Sequence, residues 1–191
     1  MIKEIHSMLL FVLLAPNLHG QKGEKVVKLF KTATEFSEAR PSLLVDCNSK
    51  NKILLNGFFN KNYITVKEGD STYNIFKNKV YGYQTCNKQV FRFLNKKELL
   101  LLNGSDEILL YRHQVPKPPT GRTNVTNYYF SIGAEGKVES LTFKNMKSTF
   151  KHNTAFLDLI DRTFKYNTDL AKYDDVHKIY IINLLLKNSR N

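Results

Sequence analysis

Residues 63–76 of this chain read YITVKEGDSTYNIF, and this stretch decides the fold class. Its two ends, Tyr63–Val66 and Tyr73–Phe76, contain the β-branched and aromatic residues that favour strands. The segment between them, Glu68–Ser71, is rich in turn-forming residues. The stretch therefore predicts a hairpin of two antiparallel strands.

The same pattern continues on both sides of this hairpin, where short apolar runs alternate with turn residues. The further strand candidates are Leu43–Val45, Ile53–Leu55, Val80–Tyr83, Val90–Phe93, Leu99–Leu102 and Ile108–Tyr111. Successive hairpins of this kind form an antiparallel meander. Eight such strands suit a barrel or a strongly curled sheet, because both arrangements protect the strand edges.

Helix signals flank the strand-rich region. Thr32 and Glu35 have capping-box spacing after a strand predicted at 25–30, so a short helix begins there and ends before Pro41. In the last third, Thr142 caps a helix that runs to about Phe150. Further helix starts are expected at Asn153 and at Asn167 or Thr168, and the third helix would continue to Leu185.

These patterns together predict an α+β protein. Residues 1–20 are expected to be a signal peptide, and residues 21–140 a β-rich domain with a short N-terminal helix. Residues 141–191 are expected to pack on the same domain as a segment of about three helices. The proline-rich stretch Pro116–Arg122 predicts a surface loop, which is either a binding loop or a plain linker.

The first twenty residues have the order of a secretory signal. Lys3 precedes the apolar run Met8–Ala15, and Pro16 and the small residue Gly20 follow before Gln21. An apolar run of about eight residues is much shorter than the roughly 20 that span a bilayer. We therefore expect an exported protein of the periplasm, the cell envelope or the extracellular space, without a transmembrane helix. The alternative is a buried N-terminal helix.

The chain contains two cysteines, Cys47 and Cys86. An even number of cysteines in an exported chain makes a disulfide plausible. The alternative is a pair of isolated thiols, since a core of this size does not need a covalent link.

The chain is strongly basic, with 29 Lys and Arg against 17 Asp and Glu and a net charge of +12. The lysines are spread along the chain and do not form blocks. One interpretation is a solvated surface that keeps an exported protein soluble. The other is a surface that binds a polyanion: nucleic acid, lipopolysaccharide or an acidic glycan.

No motif in the sequence predicts a reaction. Asp174 and His177 would share one helix face, but they supply two ligands where a zinc site needs at least three. Ser105 follows Gly104 in a turn, and not in the strand-to-helix elbow of a hydrolase nucleophile. We therefore expect no catalytic residue, metal or cofactor, while a hydrolase with an unrecognised site remains an alternative.

Aromatic residues interleaved with cations give the ligand-binding candidates, which are Tyr81, Tyr83, Phe91, Arg92 and Phe93. Alternation places both tyrosines on one face of their strand and both phenylalanines on one face of the next. Rings beside cations can stack on bases or sugars. The same rings can instead form the core of the sheet, and the sequence leaves both interpretations open.

Several of these segments resemble small exported proteins of the Bacteroidetes that lack a characterised function. The segments are Ile75–Tyr83, Val90–Phe93, Ile108–Tyr111, Phe36–Pro41 and Leu141–Lys147. They share a strand that ends in Gly-Tyr, an aromatic-Arg-Phe strand and a short strand that ends in Tyr. The resemblance implies export and a common fold, and it transfers no catalytic residue. The expected function is that of a non-catalytic binding or structural protein.

Overall fold

The structure is a computed structural model that describes residues 25–55, 61–115 and 125–190. The predicted signal peptide and the predicted loop Pro116–Arg122 lie outside the described residues. The strands are β1 (Val26–Phe30), β2 (Leu43–Asp46), β3 (Lys52–Leu54), β4 (Tyr63–Glu68), β5 (Ser71–Phe76), β6 (Gly82–Gln84), β7 (Val90–Leu94), β8 (Lys97–Leu101), β9 (Ile108–Val115), β10 (Val125–Ile132), β11 (Glu139–Ser140), β12 (Tyr173–Asp174) and β13 (Ile179–Tyr180). The helices are α1 (Ala33–Ser37), α2 (Phe143–Thr149), α3 (Thr154–Thr163) and α4 (Ile181–Asn188), with 3₁₀ helices at Lys77–Lys79 and Asn167–Ala171.

The predicted α+β class is confirmed, and the described strands pair antiparallel. Eight strands form the large sheet in the order β11-β10-β9-β8-β7-β6-β1-β2, and β3-β4-β5 form a separate small sheet. Strands β11 and β2 are the free edges of the large sheet among the described strands, so the structure does not support the predicted barrel or strongly curled sheet. The small sheet packs on one face of the large sheet. This packing buries apolar surface, although the large sheet itself does not close into a barrel.

The large sheet has two faces with different coverings. The front face carries Leu29, Tyr83, Phe93, Leu110 and Phe130. One end of it packs against the small sheet through Ile64, and the other end packs against the helices through Phe156 and Ile160. The back face carries Leu99, Leu109, Tyr111 and Tyr129, which pack with Val138. Burial on both faces explains why residues 99–101 of β8 and 108–111 of β9 are continuously apolar.

The predicted helix starts at Thr32, Thr142 and Asn153 are confirmed. Each of these side chains accepts a hydrogen bond from a backbone N–H group in the first turn of its helix. The ring of Phe36 packs on Phe30 and Tyr81, with ring centroids 5.5 and 5.3 Å apart, so α1 is held against the large sheet.

The predicted third helix from residue 167 or 168 to Leu185 is wrong. The chain forms instead a 3₁₀ helix, the hairpin β12–β13 and α4. The Asp174 carboxylate accepts hydrogen bonds from the backbone N–H groups of Val176 and His177 at 2.8 and 3.0 Å. A side chain that bonds nearby backbone groups competes with helix formation. Val176 therefore lies in the hairpin turn, where it is 86% exposed.

A buried amide attaches α4 to the large sheet. Asn183, the one polar residue in the apolar run of this helix, is 2% exposed. Its side chain accepts a hydrogen bond from the Ile108 N–H group at 3.0 Å and donates one to the Ile108 carbonyl at 2.9 Å. Both polar groups of the amide are thus satisfied, which makes its burial tolerable.

Cys47 and Cys86 form a disulfide in the structure, with an S–S distance of 2.04 Å. It joins the end of β2 to the turn between β6 and β7, and the chain between the two cysteines contains the whole small sheet. Within the ranges that the structure describes, no helix is both long and apolar enough to span a membrane.

Candidate functional site

The structure divides the five predicted ligand-binding residues between the two faces of the large sheet. Tyr83, Phe91 and Phe93 lie on the front face, where Tyr83 stacks on Phe91 with ring centroids 5.0 Å apart. Tyr81 lies with Arg92 on the back face, and the Arg92 guanidinium is 4.7 Å from the centre of the Tyr81 ring. The expectation that Tyr81 and Tyr83 share a face is therefore wrong.

The reason for this difference is the irregular backbone before β6. Regular pairing with β7 begins at Gly82, which lies opposite Arg92. A Cβ atom at Gly82 would lie 2.2 Å from the Phe91 carbonyl oxygen, so only glycine permits this close approach of the two strands. Tyr81 is outside β6, and the alternation of side chains does not extend to it.

Arg92 is the centre of a polar network on the back face. Its guanidinium donates hydrogen bonds to the Tyr111 hydroxyl at 3.1 Å, the Ser131 hydroxyl at 3.2 Å and the Gly136 carbonyl at 2.9 Å. The Tyr81 hydroxyl donates to the Ala134 carbonyl at 3.0 Å, and burial raises the pKa of Tyr81. These hydrogen bonds connect β7 to β9, to β10 and to the chain after β10. The donors of Arg92 and Tyr81 are therefore used within the fold.

A second polar network lies on the front face, beneath the small sheet. The Lys77 ammonium is 2.8 Å from one carboxylate oxygen of Glu98, and the Tyr83 hydroxyl donates to the other oxygen at 2.7 Å. Lys77 is 2% exposed, and its ammonium lies 5.4 Å from the centre of the Phe93 ring. Burial and the Glu98 carboxylate raise the pKa of Tyr83, so this phenol remains a hydrogen-bond donor at neutral pH.

A cavity of about 220 Å³ adjoins this network. It is lined by Asn62, Phe76, Lys77, Asn78, Asn95 and Lys96. Three separate segments supply these residues: the start of β4, the end of β5 with the 3₁₀ helix, and the turn between β7 and β8. Asn95 adopts a φ of 57° in this turn, a conformation that asparagine tolerates better than most residues. None of the five predicted ligand-binding residues lines this cavity.

The outward face of the small sheet is a further feature of this region, and we call it the basic face. By strand register it consists of Lys52, Leu54, Tyr63, Thr65, Lys67, Thr72, Asn74 and Phe76. Lys52 and Lys67 are exposed and lie directly opposite each other on β3 and β4. The Lys61 ammonium lies 5.3 Å from the centre of the Tyr63 ring. The described strand residues of this face include no carboxylate.

Asp174 and His177 are brought together, although in a turn and not on a helix. The His177 Nδ1 atom is 2.7 Å from a carboxylate oxygen of Asp174. This contact, with the two backbone N–H donors, lowers the pKa of Asp174. In residues 25–55, 61–115 and 125–190 the structure contains no group of three or more metal-ligating side chains.

The cavity residues were missed by reading the sequence, because they come from three turns or strand ends far apart in the chain. The one available signal was Phe76, which ends a strand candidate and is followed by Lys77 and Asn78. No protein-family model matches this chain, and no curated protein or solved structure is significantly similar to it.

Proposed function

We propose that this protein is an exported binding protein that attaches to a polyanion through the basic face of its small sheet. The Lys52–Lys67 pair carries the proposal. Like charges directly opposite each other in a sheet destabilise it, and neither ammonium has a carboxylate within 4.0 Å among the described residues. An anionic polymer that runs across β3 and β4 relieves this repulsion.

Two further observations support the proposal. The net charge of +12 attracts anionic polymers over the whole surface. The outward-facing strand residues of the basic face include no carboxylate, since Glu68 of β4 falls on the opposite face by register, and this concentrates the attraction on the basic face. The Cys47–Cys86 disulfide fits an oxidising compartment, in agreement with the signal-like residues 1–20.

A charge-reversal experiment tests this function. We expect K52E/K67E to weaken binding to fluorescent heparin about tenfold at 0.1 M salt. The slope of log Kd against log salt concentration should become less steep by about 1.5, because two cation–anion contacts are lost. Fluorescence anisotropy over a salt series measures both quantities. The neutral variant K52Q/K67Q should show a smaller loss of affinity. It tests the same site if K52E/K67E does not fold.

The matched control is K144E/K151E, which makes the same change in net charge at two exposed lysines near the helices. We expect it to lose at most about twofold in affinity, because salt screens the effect of charges that lie far from the bound polymer. Equal losses for the two double variants would contradict a localised site. Elution of the unmodified protein from heparin resin below about 0.2 M salt would contradict the function itself.

A further inference from the structure

We propose that the cavity beside Phe76 binds one acidic sugar residue, so that the polyanion is an acidic glycan. This inference rests on the proposed function and names the class of polymer. The cavity meets the basic face at Phe76, which lines the cavity and also lies opposite Tyr63 on the outward face of the small sheet. One polymer can therefore contact both.

The size of the cavity selects a small ligand. Its volume of about 220 Å³ is below the roughly 300–1,000 Å³ of pockets that hold drug-sized molecules. It therefore accommodates a single ring, and the neighbouring units of a polymer must lie outside it.

The polar groups around the cavity match the hydroxyl groups of a sugar. Three exposed residues with side-chain amides, Asn62, Asn78 and Asn95, are among those that line it. Within the described part of the chain, none of these amides forms a hydrogen bond to another group of the protein. Each amide presents both donors and an acceptor, which pairs with a hydroxyl that also donates and accepts.

The aromatic ring and the cations complete the match. Phe76 is 55% exposed and gives the apolar face of a pyranose ring a surface on which to stack. Lys96 is exposed at the rim, where it can pair with a carboxylate or sulfate group. Lys77 also lines the cavity, but its ammonium already forms an ion pair with Glu98.

The arrangement favours a glycan over single-stranded nucleic acid. Binding of a nucleic acid strand uses several aromatic platforms for successive bases. On the described strands of the basic face, Phe76 is the one aromatic ring that is more than half exposed, since Tyr63 is partly buried. A single ring beside three amides in a concave site is suited to one sugar.

The experiment compares ligands of equal charge on the intact, oxidised protein. We expect a hyaluronan hexasaccharide, which carries glucuronate, to bind more tightly than an oligothymidylate with the same number of charges. F76A should weaken hexasaccharide binding at least fivefold in isothermal titration calorimetry. N78A should weaken it at least twofold. Tyr166 lies outside the cavity and the basic face and is 69% exposed, so the control variant Y166A should bind the hexasaccharide as tightly as the unmodified protein.

The outcomes separate this inference from the proposed function. If heparin binding remains dependent on Lys52 and Lys67 while F76A and N78A behave like Y166A, the cavity proposal is overturned and the function stands. Equal or tighter binding of the oligothymidylate also overturns it. If the unmodified protein does not bind heparin at all, both the cavity proposal and the proposed function are overturned.

Discussion

Replacing both cysteines with serine should lower the free energy of unfolding by about 4 kcal/mol. The disulfide joins residues separated by 39 positions, and the chain-entropy model assigns about that free energy to a loop of this length. The loop contains β3, β4 and β5, so the bond restrains the segment that carries the basic face. Urea denaturation of the oxidised protein and of C47S/C86S measures the difference.

Reductant provides the control for this prediction. Dithiothreitol should reduce the stability of the unmodified protein to that of C47S/C86S and should leave the variant unchanged. C47A/C86A should agree with the serine variant, which separates loss of the bond from any effect of the two partly buried serine hydroxyls. A difference below about 1 kcal/mol would show that the loop is already restrained without the bond.

Replacing Lys77 with methionine should lower the free energy of unfolding by about 3 kcal/mol. The substitution keeps the packing volume but leaves the Glu98 carboxylate with only the Tyr83 hydroxyl as a side-chain partner. An uncompensated carboxylate beneath the small sheet is costly, although Glu98 retains 23% side-chain exposure, which holds the loss at the lower end of the range. Urea denaturation near pH 7 measures the effect.

Two comparisons make this prediction specific. K79M removes an exposed lysine from the same 3₁₀ helix and should change stability little. K77M/E98Q should recover part of the loss, because the second substitution removes the unpaired charge. Equal stabilities for K77M and K79M would contradict a structural role for the ion pair.

Local pattern predicted most of the elements but not their arrangement in space. The hairpin at residues 63–76 is present as β4 and β5, because strand-forming residues flank a tight turn. Alternation specifies which side chains face inward but not which sheet a strand joins. The separation of β3–β5 from the meander was therefore not predictable from the sequence pattern.

The errors have identifiable physical causes. Apolar spacing suggested one long third helix, but the Asp174 carboxylate bonds the backbone and forms a turn instead. Alternation placed Tyr81 beside Tyr83, but the close approach at Gly82 interrupts the regular strand. The cavity depends on tertiary contacts among residues 62, 76–78 and 95–96, and no sequence spacing encodes such contacts.

We propose that polyanions bind to the small sheet and not to the basic surface in general. The most direct measurement is a heparin-oligosaccharide titration of the ¹⁵N-labelled, oxidised protein, followed by backbone amide chemical shifts. We expect the largest shift changes in β3, β4 and β5 and at Asn95 and Lys96. Shift changes spread evenly over the exposed lysines, or largest in α2 and α3, would contradict the claim.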